Sequence, residues 1–226
     1  MDVGGQVYVG SSLRVTVVAR VFGILAIILM LVWLLHYREG LEYDSEDPYR
    51  VFNVHPFLML LGLVISAGEA MMTYRSVAAT HNVQKFVHMF LNLLAICLGI
   101  AGICAVFKFH DMAGNLEDVY SLHSWIGIAT ISLYCLQWLI GFVTFMFPKA
   151  SRPTRSRIGR WHAMGGRALL YMAICAALTG LMEKATFLKL QHQHESRLVN
   201  FTGLSILLFG VFVEFSLTFA AYRVNI

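Results

Sequence analysis

Charged side chains are scarce in this chain of 226 residues: 13% are Asp, Glu, Lys or Arg, whereas 58% are hydrophobic. A soluble domain of this size carries about 25% charged residues. The shortage excludes a disordered chain and argues against an ordinary cytosolic enzyme, because both need far more charge. No linker is long enough to separate domains, so we expect a single membrane domain over residues 1–226.

Cysteine is also in short supply, and none of the four cysteines lies in a polar loop. They are Cys97, Cys104, Cys135 and Cys175. Their placement inside apolar runs argues against a disulfide framework and against a thiolate metal cluster. The chain also lacks a Cys-x-x-Cys-His string, which excludes haem attached covalently in the c-type way.

Long apolar runs are what the sequence has instead. A run of about 20 such residues is long enough to cross the hydrocarbon layer as a helix. Six runs qualify: 15–36, 55–74, 86–107, 123–147, 161–183 and 199–221. The first is too long for a cleaved signal peptide. We therefore predict an all-α, multi-pass membrane protein with six transmembrane helices.

Lys and Arg predict how these helices are oriented. Basic residues are concentrated at the N-terminus and in loops 75–85 and 148–160, whereas acidic residues are concentrated in loops 37–54 and 108–122. Cytosolic loops carry the excess of Lys and Arg. We therefore expect both termini in the cytosol, with helices two and four running inward and helices three and five running outward.

Four of the nine histidines fall near the predicted starts of four consecutive helices. They are His55, His88, His123 and His162. The orientation puts the first and third near the outer face and the other two near the cytosolic face, on alternate helices that can face each other inside a bundle. Helix starts disfavour imidazolium because the helix dipole is positive there. Two facing neutral imidazoles can hold one haem iron from both sides.

Other interpretations of the histidines stay open. Imidazole also binds zinc, although a zinc site needs further ligands and no carboxylate or thiol shares these depths. A functional alternative is a His-lined metal or proton transporter without haem. Glu69 and Glu214 also lie within predicted spans, and we expect Glu69 to face the bundle interior.

Several strings in the chain together resemble the cytochrome b561 family. They are Val54-His55-Pro56, Gly68-Glu69-Ala70, Lys85-Phe86-Val87-His88, Tyr120-Ser121-Leu122-His123-Ser124-Trp125 and Trp161-His162. The resemblance covers nearly the whole chain and is greatest to plant members, which include ascorbate-dependent electron carriers of the vacuolar membrane. It implies a vacuolar or other endomembrane protein, typically a homodimer, with membrane lipid and no nucleic acid among its partners.

The resemblance implies the cofactors and the reaction. Helices two to five would form a four-helix bundle around two non-covalent haem b groups. His55 and His123 would ligate the outer haem, and His88 and His162 the cytosolic one, as the topology also suggests. The chain would be an enzyme, an ascorbate-dependent transmembrane electron transporter or ferrireductase. Cytosolic ascorbate would donate single electrons, and monodehydroascorbate or a ferric chelate would accept them on the other side.

Candidate substrate and haem contacts follow from charge and from the resemblance. Cytosolic ascorbate is an anion, and the candidates for its site are His81, Lys85, Arg152 and Arg155. The positive-inside rule alone would also place these cations there. At His81 the family has a lysine. By resemblance, the outer substrate cluster is Phe109, His110 and Tyr120, and the haem periphery is Arg38, Tyr120, Ser121 and Glu183.

Overall fold

The fold is a set of long helices. The computed structural model describes residues 3–114, 117–191 and 193–221, and the chain forms no strand within these ranges. Among the described residues, six helices are long and apolar enough to cross a membrane, which confirms the predicted fold class. These spans, numbered first to sixth, are Leu13–Tyr37, Pro48–Ser76, His81–Met112, Leu122–Phe145, Arg152–Phe187 and His194–Phe219.

Two of the six spans contain π-helical segments. The first is α-helical over Val3–Val32 and ends in a π-helical turn, Trp33–Tyr37. The second is α-helical over Pro48–Met59, π-helical over Leu60–Ser66 and α-helical again over Ala67–Ser76. The third, fourth, fifth and sixth are α-helices over His81–Met112, Leu122–Phe145, Arg152–Phe187 and His194–Ala221.

The second and fifth spans begin earlier than the hydropathy pattern predicts. The second begins at Pro48 and not at residue 55, because Asp47 caps it by accepting the Tyr49 N–H at 2.9 Å and Pro48 suits the first helical position. Pro56 lies inside this helix, as membrane helices tolerate. The fifth begins at Arg152 and not at 161. The charged residues that were expected in the preceding loop form its first turns.

The second to fifth spans form the central bundle. Glycines bring its helices close together: an added Cβ at Gly62 would lie 2.9 Å from the Ala95 carbonyl oxygen, and one at Gly99 would lie 2.6 Å from Ile131. The first and sixth spans pack along each other beside this bundle. Thr16 and Ser216 join these two helices by a buried hydrogen bond of 2.7 Å.

Two ion pairs connect the first and sixth spans to the central bundle. Arg20 of the first span pairs with Glu69 of the second at 2.8 Å, and Arg167 of the fifth span pairs with Glu214 of the sixth. Glu69, expected to face the bundle interior, is therefore turned toward the first span instead. Each carboxylate has the counter-charge that an ionisable group within a bilayer needs.

Candidate functional site

One pair of histidines lies near the end of the bundle that the sequence predicts to be the outer one. The ring centres of His55 and His123 are 6.1 Å apart, and the rings are nearly perpendicular, at 88°. The His55 Nδ1 lies 3.0 Å from the Gly102 carbonyl oxygen, and the His123 Nδ1 lies 2.8 Å from that of Ala176. The second and fourth spans thus supply the imidazoles, and the third and fifth hold them in orientation.

A second pair lies near the opposite end of the bundle, which the sequence predicts to face the cytosol. The ring centres of His88 and His162 are 6.2 Å apart. The His88 Nδ1 lies 2.8 Å from the Ala70 carbonyl oxygen. The His162 Nδ1 is buried and has no hydrogen-bond partner among the described residues, while the His162 carbonyl accepts from Gln137 at 2.6 Å. The structure thus brings the four histidines together in the pairs that the topology predicted.

The carbonyl contacts decide which imidazole nitrogen is free. A carbonyl oxygen can only accept, so in neutral His55, His88 and His123 the proton lies on Nδ1. The lone pair is then on Nε2, which is the nitrogen available to a metal ion. This second contact fixes both the tautomer and the ring orientation, as is usual for histidines that ligate metals.

Two glycines make room for the rings. A Cβ added at Gly180 would lie 2.7 Å from Cε1 of His123, and one added at Gly141 would lie 2.8 Å from Cε1 of His162. Real Cβ atoms essentially never come so close to another heavy atom. Each pair therefore depends on a glycine on the neighbouring helix, and no pattern in the sequence predicts the role of Gly180.

The two pairs lie at opposite ends of the bundle. His55 and Ala70, the carbonyl partner of His88, belong to the same second span. Fifteen helical residues at 1.5 Å each put them roughly 20 Å apart along the axis. Two separate sites result, one toward each face of the membrane.

The donor set of each site fits a haem. An imidazole nitrogen bonds a transition metal at about 2 Å, so two opposed imidazoles on one metal have ring centres about 6 Å apart. No group of three or more His, Cys, Asp or Glu lies together in the described parts of the chain. Each pair could therefore hold a haem through one ring nitrogen of each histidine, because two protein ligands leave room at the metal for a macrocycle.

The histidines lie deeper in their helices than the sequence suggests. Only His123, the second residue of its span, lies in a first turn; His55 follows Pro48 by seven residues, as His88 follows His81. The effect of a helix dipole is confined to the terminal turn. The expectation that it disfavours imidazolium at all four positions is therefore wrong for three of them.

Two of the candidate cytosolic substrate residues, Lys85 and His81, lie close to the His88–His162 pair. The Lys85 Nζ donates to the Phe145 carbonyl at 3.2 Å, and the Phe145 ring is 5.4 Å from His162. The Tyr74 ring lies between His81 and His88, at 5.5 and 5.6 Å from their ring centres.

The two candidate arginines lie at the start of the fifth span. Arg155 donates to the Ala150 carbonyl at 3.2 Å, and Arg152 is exposed in the first turn. Both therefore belong to the helix and not to a loop. No pattern in the sequence predicts that Tyr74 and Phe145 border the imidazole pair at this end.

The candidate outer substrate residues fall into two groups: Phe109 and His110 lie near the His55 ring, and Tyr120 lies beside Glu183. Phe109 is buried and packs on Phe52 with ring centres 5.0 Å apart, and Phe52 lies 6.2 Å from the His55 ring. His110 lies beside Phe109 in the last turn of the third span and contacts Asp118 at 2.5 Å. His110 is therefore helical, although the sequence placed it in the loop.

Three candidate haem-periphery residues lie together at this end. Ser121 donates to Glu183 at 2.9 Å and caps the fourth span, and the Tyr120 hydroxyl donates to Glu183 at 3.5 Å. Partial burial and then the charge of Glu183 raise the pKa of Tyr120 above its ordinary value. The phenol therefore stays protonated at neutral pH and remains a donor.

Arg38, the fourth candidate of that set, has a protein partner. It forms an ion pair with the buried Glu195 of the sixth span, and Trp33 donates to the same carboxylate at 2.6 Å. The Arg38 carbonyl accepts from Asn53 at 2.8 Å. These contacts connect the outer ends of the first, second and sixth spans. Periodicity alone does not predict them, because the partners are far apart in the chain.

These observations define the class of the molecule: it is an integral, multi-pass helical membrane protein with an imidazole pair near each end of its central bundle. The sequence profile of the eukaryotic cytochrome b561 family matches residues 54–188, and the chain belongs to this family. Membership implies haem b as the cofactor.

Relatives extend the likeness beyond the matched segment. The transmembrane ascorbate ferrireductase 1 of Arabidopsis thaliana is 42% identical over 207 residues, 90% of this chain and 86% of that protein. A probable ascorbate-specific transmembrane electron transporter of Oryza sativa subsp. japonica is 41% identical over 203 residues, covering 88% and 86%. A plasma membrane ascorbate-dependent reductase of Xenopus laevis is 36% identical over 222 residues, covering 94% and 77%. By their names, these relatives are oxidoreductases or electron carriers.

Proposed function

We propose that the chain is an ascorbate-dependent transmembrane oxidoreductase that moves single electrons through two haem b groups. The observation that carries the proposal is the pair of opposed imidazoles near each end of the bundle, with ring centres 6.1 and 6.2 Å apart. A haem b held by two histidines would supply one-electron transfer in place of oxygen chemistry. His55 and His123 hold the outer group, and His88 and His162 the cytosolic one.

The residues at the cytosolic end bind the donor. Ascorbate is an anion, and the ammonium of Lys85 and the guanidinium of Arg155 lie on the two helices that supply His88 and His162. Arg152 and His81 add positive charge at the rim. Tyr74 and Phe145 cover the imidazole pair with aromatic surface, which limits the approach of water.

The residues at the outer end receive the acceptor, monodehydroascorbate or a ferric chelate. His110 holds or releases the proton that accompanies ascorbyl chemistry, and Asp118 orients its ring. Phe109 packs between His110 and Phe52, next to the His55 ring. Both termini lie in the cytosol, and the protein works as a homodimer in the vacuolar or another endomembrane. A His-lined transporter without haem gains no support, because the part of the chain that the structure describes brings only two histidines to each site.

The ligand assignment is tested by counting haem. His88→Ala removes one axial ligand, so the purified variant should hold about one haem per chain where the parent holds about two. Ascorbate should then reduce the remaining haem slowly, because the electron entry site is lost. His194→Ala, at an exposed position on the sixth span, is the control and should keep the parent haem content. An unchanged count in His88→Ala would remove His88 from the ligand set.

A further inference from the structure

Lys184, near the outer end of the fifth span, has a half-buried side chain and no anionic partner. Its ammonium makes no hydrogen bond or ion pair with any residue in the described ranges. It lies instead over aromatic rings, with Nζ 3.7 Å from the ring centre of Phe52, 5.6 Å from Tyr49 and 5.8 Å from Phe109. Such contacts offset only part of the cost of removing a cation from water.

Three carboxylates near the outer ends of the spans already have partners of their own. Glu183 accepts from Ser121, Glu195 pairs with Arg38, and Asp118 contacts His110. Neither of the first two forms an ion pair with Lys184 in the described residues, although Glu183 precedes it in the chain. The ammonium is thus a positive charge that the described residues leave without a counter-ion.

The position of the charge links it to the outer site. Phe52, directly beneath the ammonium, packs against His55, whereas Phe109 packs against His110. Tyr49 on the other side is largely exposed, so the cluster opens toward the outer solution. An anion that reached Lys184 from that solution would lie beside both His110 and the outer imidazole pair.

We propose that the Lys184 ammonium binds an anionic group at the outer site and thereby selects negatively charged partners there. The group is a carboxylate or enolate, supplied by the electron acceptor or by a propionate of the outer haem. The proposal rests on the proposed function, because both sources presuppose haem-borne electron transfer.

The test uses the full-length holoprotein with Lys184→Met, which keeps the apolar stem, and Lys184→Arg, which keeps the charge. Each protein is reduced with ascorbate and mixed with ferric EDTA, an anionic carboxylate chelate, or with the cation tris(phenanthroline)cobalt(III). Rates of haem oxidation are followed by absorbance, and the midpoint potentials of the haems are measured by redox titration. Lys189→Met removes an exposed charge at the same face and is the matched control.

If the acceptor supplies the anion, Lys184→Met should react about tenfold more slowly with ferric EDTA, the loss of one charge-assisted contact, but not with the cobalt complex. If the propionate supplies it, the midpoint potential of one haem should fall in Lys184→Met and both acceptors should be affected alike. Lys184→Arg and Lys189→Met should resemble the parent in either case. Lys184→Met with parent rates and potentials would overturn the proposal.

Two further results keep the test decisive. If Lys184→Met does not fold, Lys184→Gln replaces it, and parent behaviour in that variant overturns the proposal equally. A parent protein that holds no haem, or that ascorbate does not reduce, would instead refute the proposed function, and this is seen before any variant is examined.

Discussion

At the scale of single residues, the proposed function makes Lys85 a contact for the ascorbate anion. Its ammonium lies on the Phe145 carbonyl, and the Phe145 ring contacts His162. Lys85→Met keeps the stem and removes the charge. We expect stopped-flow reduction by ascorbate to slow about tenfold, because one charge-assisted contact is lost. Haem content and the visible spectrum should stay unchanged.

The control for Lys85 separates a local contact from the general surface potential. Lys149 is exposed in the next cytosolic loop, so Lys149→Met removes the same charge without touching the imidazole pair. Distant exposed charges are screened beyond about 8 Å at physiological salt. The Lys149 variant should therefore reduce at nearly the parent rate in 150 mM salt. Equal slowing of both variants would mean that Lys85 makes no contact of its own with ascorbate and only sets the orientation of the helices.

The four histidines were predictable because burying an ionisable side chain in a membrane helix is costly, and their recurrence is visible in the chain. The environment of these rings was not predictable from the sequence. Gly180 and the Ala176 carbonyl lie on the fifth span but serve His123 of the fourth, so only the packing of the two helices reveals them. Lys184 likewise resembles any lysine at the end of a span until the rings around it are known.

At the scale of helices, ion pairs within the membrane connect the first and sixth spans to the central bundle. Glu214→Gln removes the partner of Arg167, which also donates to Thr218 at 3.3 Å. An unpaired guanidinium among lipid and apolar side chains is costly, whereas replacing both partners by apolar residues is often tolerated. Glu214→Gln should therefore unfold at a lower temperature than the double variant Arg167→Met, Glu214→Leu.

Loss of haem absorbance during heating in detergent measures this difference. The double variant Arg20→Met, Glu69→Leu makes the same comparison at the first span, where the two ions are 2.8 Å apart. Equal unfolding temperatures for the single and the double variants would mean that the guanidinium reaches water and that the pair adds little.

The number of helices could be read from hydropathy, but their ends could not. Hydropathy detects where the lipid-facing residues are, whereas a helix begins where its first N–H groups find a cap. Asp47 provides that cap well before the apolar run of the second span, and the polar residues after Ser151 form helix because nothing interrupts them. The partner of Glu69 was likewise hidden, since hydropathy does not say which outer helix covers which inner one.

At the scale of the whole molecule, the two imidazole pairs lie at opposite faces, so the proposed reaction moves charge across the membrane. An electron that crosses 100 mV gains or loses about 2.3 kcal/mol, roughly a fiftyfold change in the equilibrium. Proteoliposomes with ascorbate inside and ferric EDTA outside should therefore reduce iron faster when valinomycin and a potassium gradient make the interior negative, and slower when it is positive. The same gradients without valinomycin are the control. A rate indifferent to the potential would mean that donor and acceptor exchange electrons on one side, because only a transfer between the two faces can feel the field.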